Sequence, residues 1–491
     1  MANDARPGGH GIAAPGSATT AGGTPVCDDP VSLDSARGRW LLAAAVLGAG
    51  MGFLDGTVVN VALRRIGTDL DASLAQLQWI VNAYLLALAS LILVGGSLGD
   101  RLGRRRVFTI GTVWFGLASA ACALAPNAET LVAARAVQGV GAALLTPGSL
   151  ALMQGSFREE DRAQAIGRWS GMSGIATVLG PFLGGGLVQS VGWRYVFWIN
   201  VPIAVVVVLI AVHHVPESRD PEAARRFDVV GAGLGAVGLG AVTYALIEAG
   251  QQPAATIAVA AVGGVLALAA FVVSQRRPDP MVPPAMFGSR VFTASNLLTF
   301  VVYGALGAMT FFLVLQLQVS GGYGPLAAGL ATLPITVVMF ALSGQSAALA
   351  HRIGPRLQMG LGPVLCAVGT VLMLGVDATS SYWLSVLPGM LVFAFGLTCL
   401  VAPLTATVLA AVTDRWAGIA SGVNNAVARI GSLLAVAALP VAVGLGGSEY
   451  DDPAALTAAY RSAMLVCAAL LLVGGAIGWV GLRRPRSAEA R

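Results

Sequence analysis

The chain has 491 residues, of which 56% are hydrophobic and only 11% charged, against about 25% charged in an ordinary soluble domain. Glycine fills 63 positions, nearly twice its usual share of about 7%; the formal charge is +5, and all 29 basic residues are arginine. This balance excludes a soluble globular protein, a disordered chain and a disulfide-stapled secreted domain. The absence of lysine also argues against a Walker-type ATPase or a Schiff-base enzyme.

Residues 1–36 are rich in Gly, Ala, Pro, Ser and Thr. They lack a charged start followed by an apolar core, so they read as a disordered tail rather than a signal peptide. A helix crossing a bilayer needs about 20 mostly apolar residues. Fourteen stretches qualify: 40–61, 77–98, 107–125, 130–153, 164–190, 194–213, 229–249, 254–274, 292–318, 325–349, 357–376, 383–408, 418–444 and 460–482. The predicted class is an all-α integral membrane protein with fourteen spans. With the N-terminus inside, 23 arginines fall in inner segments, four in outer segments and two, Arg135 and Arg429, within spans. The positive-inside bias therefore places both termini in the cytoplasm. Glu248 is expected at a membrane interface, where a charge is cheap.

Two inner loops echo each other. Asp100-Arg101-Leu102-Gly103-Arg104-Arg105 returns as His351-Arg352-Ile353-Gly354-Pro355-Arg356, at an offset of 251. Asp161-Arg162 returns as Asp414-Arg415, at an offset of 253. The offsets predict two parallel six-span halves, 37–213 and 292–482. A linker, 214–291, carries the seventh and eighth spans, and a short tail, 483–491, ends the chain. Such repeats are a transporter signature, with substrate bound between the halves near mid-membrane.

No catalytic or metal constellation emerges. Cys27, Cys122, Cys366, Cys399 and Cys467 are scattered, and His10, His213, His214 and His351 have no zinc spacing. No cofactor, metal or nucleic-acid partner is expected, and the arginine clusters follow membrane topology.

The segment Gly96-Ser97-Leu98-Gly99-Asp100-Arg101-Leu102-Gly103-Arg104-Arg105-Arg106 resembles the inner-loop motif of the major facilitator superfamily. The resemblance implies a latch on the inner gate, formed by Gly96, Asp100, Arg101, Gly103 and Arg105. Asp100 would cap the third span or pair across the inner face, with Arg101 and Arg105 meeting acidic partners. Leu54-Asp55-Gly56-Thr57-Val58-Val59-Asn60-Val61-Ala62-Leu63 is similar to the first span of fourteen-span drug:proton antiporters, the EmrB/QacA group. That group continues with Pro where this chain has Arg64. Arg135-Ala136-Val137-Gln138-Gly139 resembles the proton-coupling motif. The run from Gly174 through Gly180, Pro181, Gly184 and Gly185 resembles the antiporter motif of exporters. Trp193-Arg194 through Asn200 and Gly422 through Gly431 resemble the sixth and thirteenth spans of that group. His351 stands where the first half has Asp100, which weakens any second latch.

Charge within a bilayer costs about 2.5–3.5 kcal/mol on insertion scales, so Asp55 and Arg135 need partners. Asp55 lies 15 residues beyond Trp40, about 22 Å along a helix that rises 1.5 Å per residue. Arg135 comes down from the outer face to a similar depth. The two are expected to share one polar cavity, with Arg135 holding Asp55 ionised until a proton or cationic substrate competes. Gly174, Gly180, Gly184 and Gly185, with Pro181, predict a smooth, bent face for rocking between halves. Pocket candidates in the first half are Trp79, Asn82, Tyr84, Gln138, Trp169 and Met172. In the second half they are Phe312, Gln316, Asn424, Asn425 and Arg429.

The sequence therefore predicts a monomeric secondary transporter in the cytoplasmic membrane. It would export amphipathic or cationic organic compounds, drugs or antibiotics among them, in exchange for protons. A carrier for one endogenous metabolite, exporter or importer, is the alternative. No cofactor is called for beyond the proton gradient.

Overall fold

A computed structural model of the chain describes residues 26–27, 30–219, 228–277, 280–413, 416–446 and 449–482. Most of the predicted N-terminal tail, the predicted tail 483–491, and Asp414 and Arg415 of the second repeat loop lie outside the described residues.

Polar residues start the helices. Ser35 caps α1 (Ala36–Leu70), its hydroxyl accepting from the Gly38 amide at 2.9 Å. Ser73 and Gln76 form a capping box at the head of α2 (Leu74–Leu102). Next come α3 (Arg104–Ala123) and α4 (Ala128–Ser156), the latter capped by Asn127. Helix α5 (Glu159–Ser190) is followed by α6 (Arg194–Trp198) and α7 (Asn200–His214), which run as one rod broken at Ile199. Asp228 caps α8 (Val229–Ile247), which forms a hairpin with α9 (Ala254–Ser274). The second half comprises α10 (Arg290–Val319), α11 (Pro325–Ala331), α12 (Leu333–Ile353), α13 (Pro355–Leu372), α14 (Leu387–Ala410), α15 (Ala417–Ala442) and α16 (Pro453–Gly481). A two-residue antiparallel ladder, Val26–Cys27 with Ser218–Arg219, is the only sheet among the described residues.

Twelve helices among the described residues are long and apolar enough to cross a membrane. The expected spans at 164–190 and 357–376 are helical, as α5 and α13, but are not among the twelve. In α5 the charged residues Glu159, Glu160, Asp161, Arg162 and Arg168 lie in the first third, and residues 169–190 are uncharged. Helix α13 is only 18 residues long and holds Arg356, Gln358 and Pro363.

Helices α1–α7 pack on one another, as do α10–α16, and α8 lies against α2 and α15 where the halves meet. The repeat loops have matching geometry. A single glycine joins α2 to α3 and another joins α12 to α13. Gly103 has φ +110° and Gly354 has φ +82°, a region that disfavours any side chain. The offset of 251 thus marks two copies of one helix–glycine–helix turn.

The arginine-rich face holds Arg101 to Arg106. At the opposite face the halves are sealed. Residues 311–320 of α10 are buried on every side. Five hydrogen bonds cross between the halves there. Arg64 donates to the Gln318 carbonyl, and Gln318 Nε2 returns a bond to the Val61 carbonyl at 2.9 Å. Gln78 Nε2 donates to the carbonyls of Val436 at 2.7 Å and Ala437 at 3.2 Å. The Tyr450 hydroxyl donates to the Ala72 carbonyl at 2.7 Å.

Candidate functional site

Asp55 and Arg135 meet in the core of the first half. Asp55 is 0% exposed and Arg135 1%. Arg135 Nη1 donates to Asp55 Oδ2 at 2.5 Å and to Gln138 Oε1 at 2.6 Å, and Arg135 Nε donates to the Ile80 carbonyl at 3.0 Å. Gln138 Nε2 donates to Asp55 Oδ1 at 2.9 Å and to Ser119 Oγ at 2.7 Å. Ser119 Oγ also accepts from Asn200 Nδ2 at 3.2 Å. Both carboxylate oxygens of Asp55 are thereby bonded by residues of α4, the arrangement a buried charge requires. The guanidinium is further held by aromatic faces, with its carbon 4.3 Å from the Tyr84 ring centre and 5.7 Å from that of Phe197.

The two motif residues come from α1 and α4 and share one depth, as the helical rise predicts. Gln138, expected as a pocket residue, bridges the pair instead. Ser119 and Asn200 were not legible as partners. Small polar side chains in helices usually bond their own backbone, so sequence gives them no direction.

Open space lies beside α1 near this site. Gly56 is half-buried mid-way along α1, and a Cβ added there would meet no atom within 4 Å. One turn earlier, an added Cβ at Gly52 would lie 3.8 Å from the Tyr84 hydroxyl and 3.6 Å from Thr146 Oγ1. From the second half, Arg429 lies one helical turn from both Ala426 and Leu433 of α15, which share a buried cluster with Tyr84. Arg429 is half-buried and has no carboxylate at ion-pair distance among the described residues.

The other expected pocket residues scatter. Phe312 and Gln316 are fully buried in the second-half core; Gln316 donates to the Val376 carbonyl and to Thr457, both at 2.9 Å. Helix α10 is too apolar for its sequence to reveal which face is which. Asn424 accepts from Thr299 at 2.8 Å and ties α15 to α10. Asn425 is exposed and bonds the Ser421 carbonyl of its own helix. Trp79 lies in the α2–α8 seam and donates to Glu248 at 3.0 Å. Asn82 is buried with no partner for either amide atom. Trp169 is half-buried and Met172 exposed on α5.

The Gly-Pro run of α5 packs on two sides. A Cβ at Gly180 would strike the Thr57 side chain, and one at Gly184 the Val58 side chain, both on α1. Gly185 faces the backbone of Pro325 and Leu326 in α11, and the Pro181 carbonyl faces Gly329. The run thus touches both halves, and only glycine permits such close approach. The surroundings of Gly174 lie outside the described residues.

At the arginine-rich face Asp100 does not cap α3. It accepts twice from Arg104, at 2.8 and 2.9 Å, across the Gly103 turn. Arg105 does meet an acid, but one from the linker. Glu217 Oε1 accepts from the Arg105 amide at 3.0 Å, and Glu217 Oε2 lies 3.6 Å from Arg105 Nε. Arg101 is also engaged, and Gly96 packs 3.7 Å from the Pro147 side chain, measured from an added Cβ. Glu217 was missed because a docking linker leaves no periodic signal; Arg104 pairs with Asp100 four residues before it, a spacing the sequence did display. The side chain of His351 lies outside the described residues.

Comparison with known proteins now decides the family, because the Major Facilitator Superfamily model matches residues 45–436. The chain belongs to the Major Facilitator Superfamily. A methylenomycin A resistance protein from Bacillus subtilis (strain 168) is 35% identical over 425 residues, covering 85% of this chain and 90% of that protein. A tetracenomycin C resistance and export protein from Streptomyces glaucescens is 35% identical over 413 residues, covering 82% and 76% respectively. Among solved structures, a peptide transporter POT in complex with sulfate superposes with a TM-score of 0.67, at 15% identity over 91% of this chain and 97% of that one. This last likeness concerns the fold. As a superfamily member, the chain is a multi-span membrane transporter for small molecules.

Proposed function

We propose that this protein exports amphipathic organic compounds, antibiotics among them, from the cytoplasm in exchange for protons. The observation that carries the reading is the buried Asp55–Arg135–Gln138 network, both charges withdrawn from solvent in the core of the first half. A lone carboxylate in a membrane protein is a functional group by default. Here its counter-charge is bonded to it, so protonation of Asp55 would free Arg135 and loosen α1 from α4. The resistance and export names of relatives at 35% identity support the direction of transport.

In this reading the chain is a monomer with fourteen spans, α5 and α13 completing the twelve. The arginine-rich face and both termini are cytoplasmic. The hydrogen bonds at Arg64, Gln78, Gln318 and Tyr450 close the outer face, so this state receives substrate from inside. Rocking along the Gly180–Gly185 line would then open the outer face. The proton gradient is the energy source, with no cofactor.

The test is a resistance and accumulation screen of dyes and antibiotics in a pump-deficient host, with and without a protonophore. The reading expects reduced accumulation that the protonophore abolishes. Accumulation unchanged by expression across the screen, or a reduction insensitive to the protonophore, contradicts it.

A further inference from the structure

Among the described residues, Arg429 is a cation with no carboxylate at ion-pair distance. It stands 12 residues into α15, about 18 Å along the helix, and therefore deep between the two faces. Arg135, the other mid-span cation, is neutralised by Asp55 at 2.5 Å. Arg429 has no such partner among the described residues, yet its side chain is half-withdrawn from solvent. An uncompensated guanidinium at that depth is costly unless something of opposite charge visits it.

What surrounds Arg429 fits an organic visitor. The arginine lies one helical turn from both Ala426 and Leu433, which pack in one buried cluster with the Tyr84 ring of the first half. Beyond Tyr84, the face of α1 at Gly56 is open space. A planar apolar body can lie along the Tyr84 ring while an acidic group meets the guanidinium. Arginine suits this task because its donors form a fork that matches a carboxylate.

We propose that Arg429 anchors an acidic group, a carboxylate or an ionised phenol or enol, on the transported molecule, which is an amphipathic organic anion. The proposal rests on the export reading above and narrows its substrate class. It gives the site a charge preference: cationic compounds are disfavoured there, because Arg429 repels them and Asp55 is already bonded. Tyr84 stacks on Arg135 and shares a buried cluster with the Ala426–Leu433 face of α15, so an anion seated at Arg429 lies one layer from the ring on Arg135.

The test uses two dyes with a shared tricyclic scaffold, anionic fluorescein and cationic rhodamine 123, titrated by fluorescence anisotropy into purified full-length protein. Wild type is expected to bind fluorescein at least about tenfold more tightly than rhodamine 123. Arg429→Gln is expected to lose that preference by about tenfold or more, and Arg429→Lys, which keeps the charge but not the fork, to fall between the two. Removing an unpaired charge orphans no partner, so Arg429→Gln should remain folded, which size-exclusion chromatography checks. Binding of neither dye, equal binding of both, or an unchanged ratio in Arg429→Gln overturns the anion site. Transport is read separately in proteoliposomes. If fluorescein binds with the expected preference but moves no faster under a proton gradient, the antiport reading fails and the anion site stands.

Discussion

The guanidinium carbon of Arg135 lies 4.3 Å above the ring of Tyr84. Tyr84 is almost fully buried, and its hydroxyl reaches toward the Gly52 carbonyl at 3.5 Å. One side chain thus joins the buried ion pair to the open space beside α1. A desolvated cation–π contact contributes about 2 kcal/mol, whereas a 3.5 Å hydrogen bond contributes little. Tyr84→Phe should therefore keep gradient-driven export, and Tyr84→Leu should lose most of it at similar expression. Export assays on both variants check this; equal activity in the two would remove Tyr84 from the coupling path.

Gln138 donates to Asp55 and Ser119 together. Gln138→Leu leaves a buried carboxylate oxygen without its donor, a cost of about 1–3 kcal/mol. The expected outcome is a lowered Tm in detergent together with impaired export. Gln138→Glu would place a second carboxylate beside Asp55 and should be worse. A thermal-shift series checks the order.

The outer seal should weaken when its bonds are removed. Arg64→Ala and Gln318→Ala each delete one bond, worth about 1 kcal/mol, which is roughly fivefold in population. Spin labels at exposed Thr68 and Ala378, on opposite halves, should show a larger share of long distances in both variants. Tyr450→Phe should act the same way. Burial, and next the charge of Asp451, push the Tyr450 phenol up to about 12. With a folded value above the unfolded one, its contribution is complete below the ordinary value of 10.0 and fades as pH rises toward about 12. The seal should thus be insensitive to pH in the physiological range, and label distances recorded there check it.

The Gly-Pro run of α5 distinguishes neighbouring glycines. A side chain at Gly180 would meet Thr57, and one at Gly185 would meet the α11 backbone, while Gly186 has open space around it. Gly180→Leu should insert in the membrane but not export. Gly185→Leu should hold the outer face open, and Gly186→Ala should be near normal. Surface expression, export and the same spin-label pair separate the three outcomes.

Much of this was written in the chain, unevenly. Asp55 and Arg135 were legible because charge is rare in apolar helices and the rise per residue fixes depth. Gln138, three residues after Arg135, shares its helix face, a signal that pointed to the pair as much as to a pocket. Gly354 was legible through its offset from Gly103. Glu217 was not, because its role depends on how the linker folds back. Nor could sequence orient α10, where apolar residues surround the whole helix and Phe312 and Gln316 turn inward. The charge left over at Arg429 emerges only when the described carboxylates have been placed.

The most direct measurement is gradient-driven accumulation of an exported compound in proteoliposomes, comparing wild type with Asp55→Asn at equal protein and matched fold by size exclusion. Wild type should concentrate the compound when a proton gradient is imposed and stop when a protonophore collapses it. Asp55→Asn should still bind the compound but fail to concentrate it. Undiminished, protonophore-sensitive accumulation by Asp55→Asn would contradict the claim that this carboxylate couples protons to export.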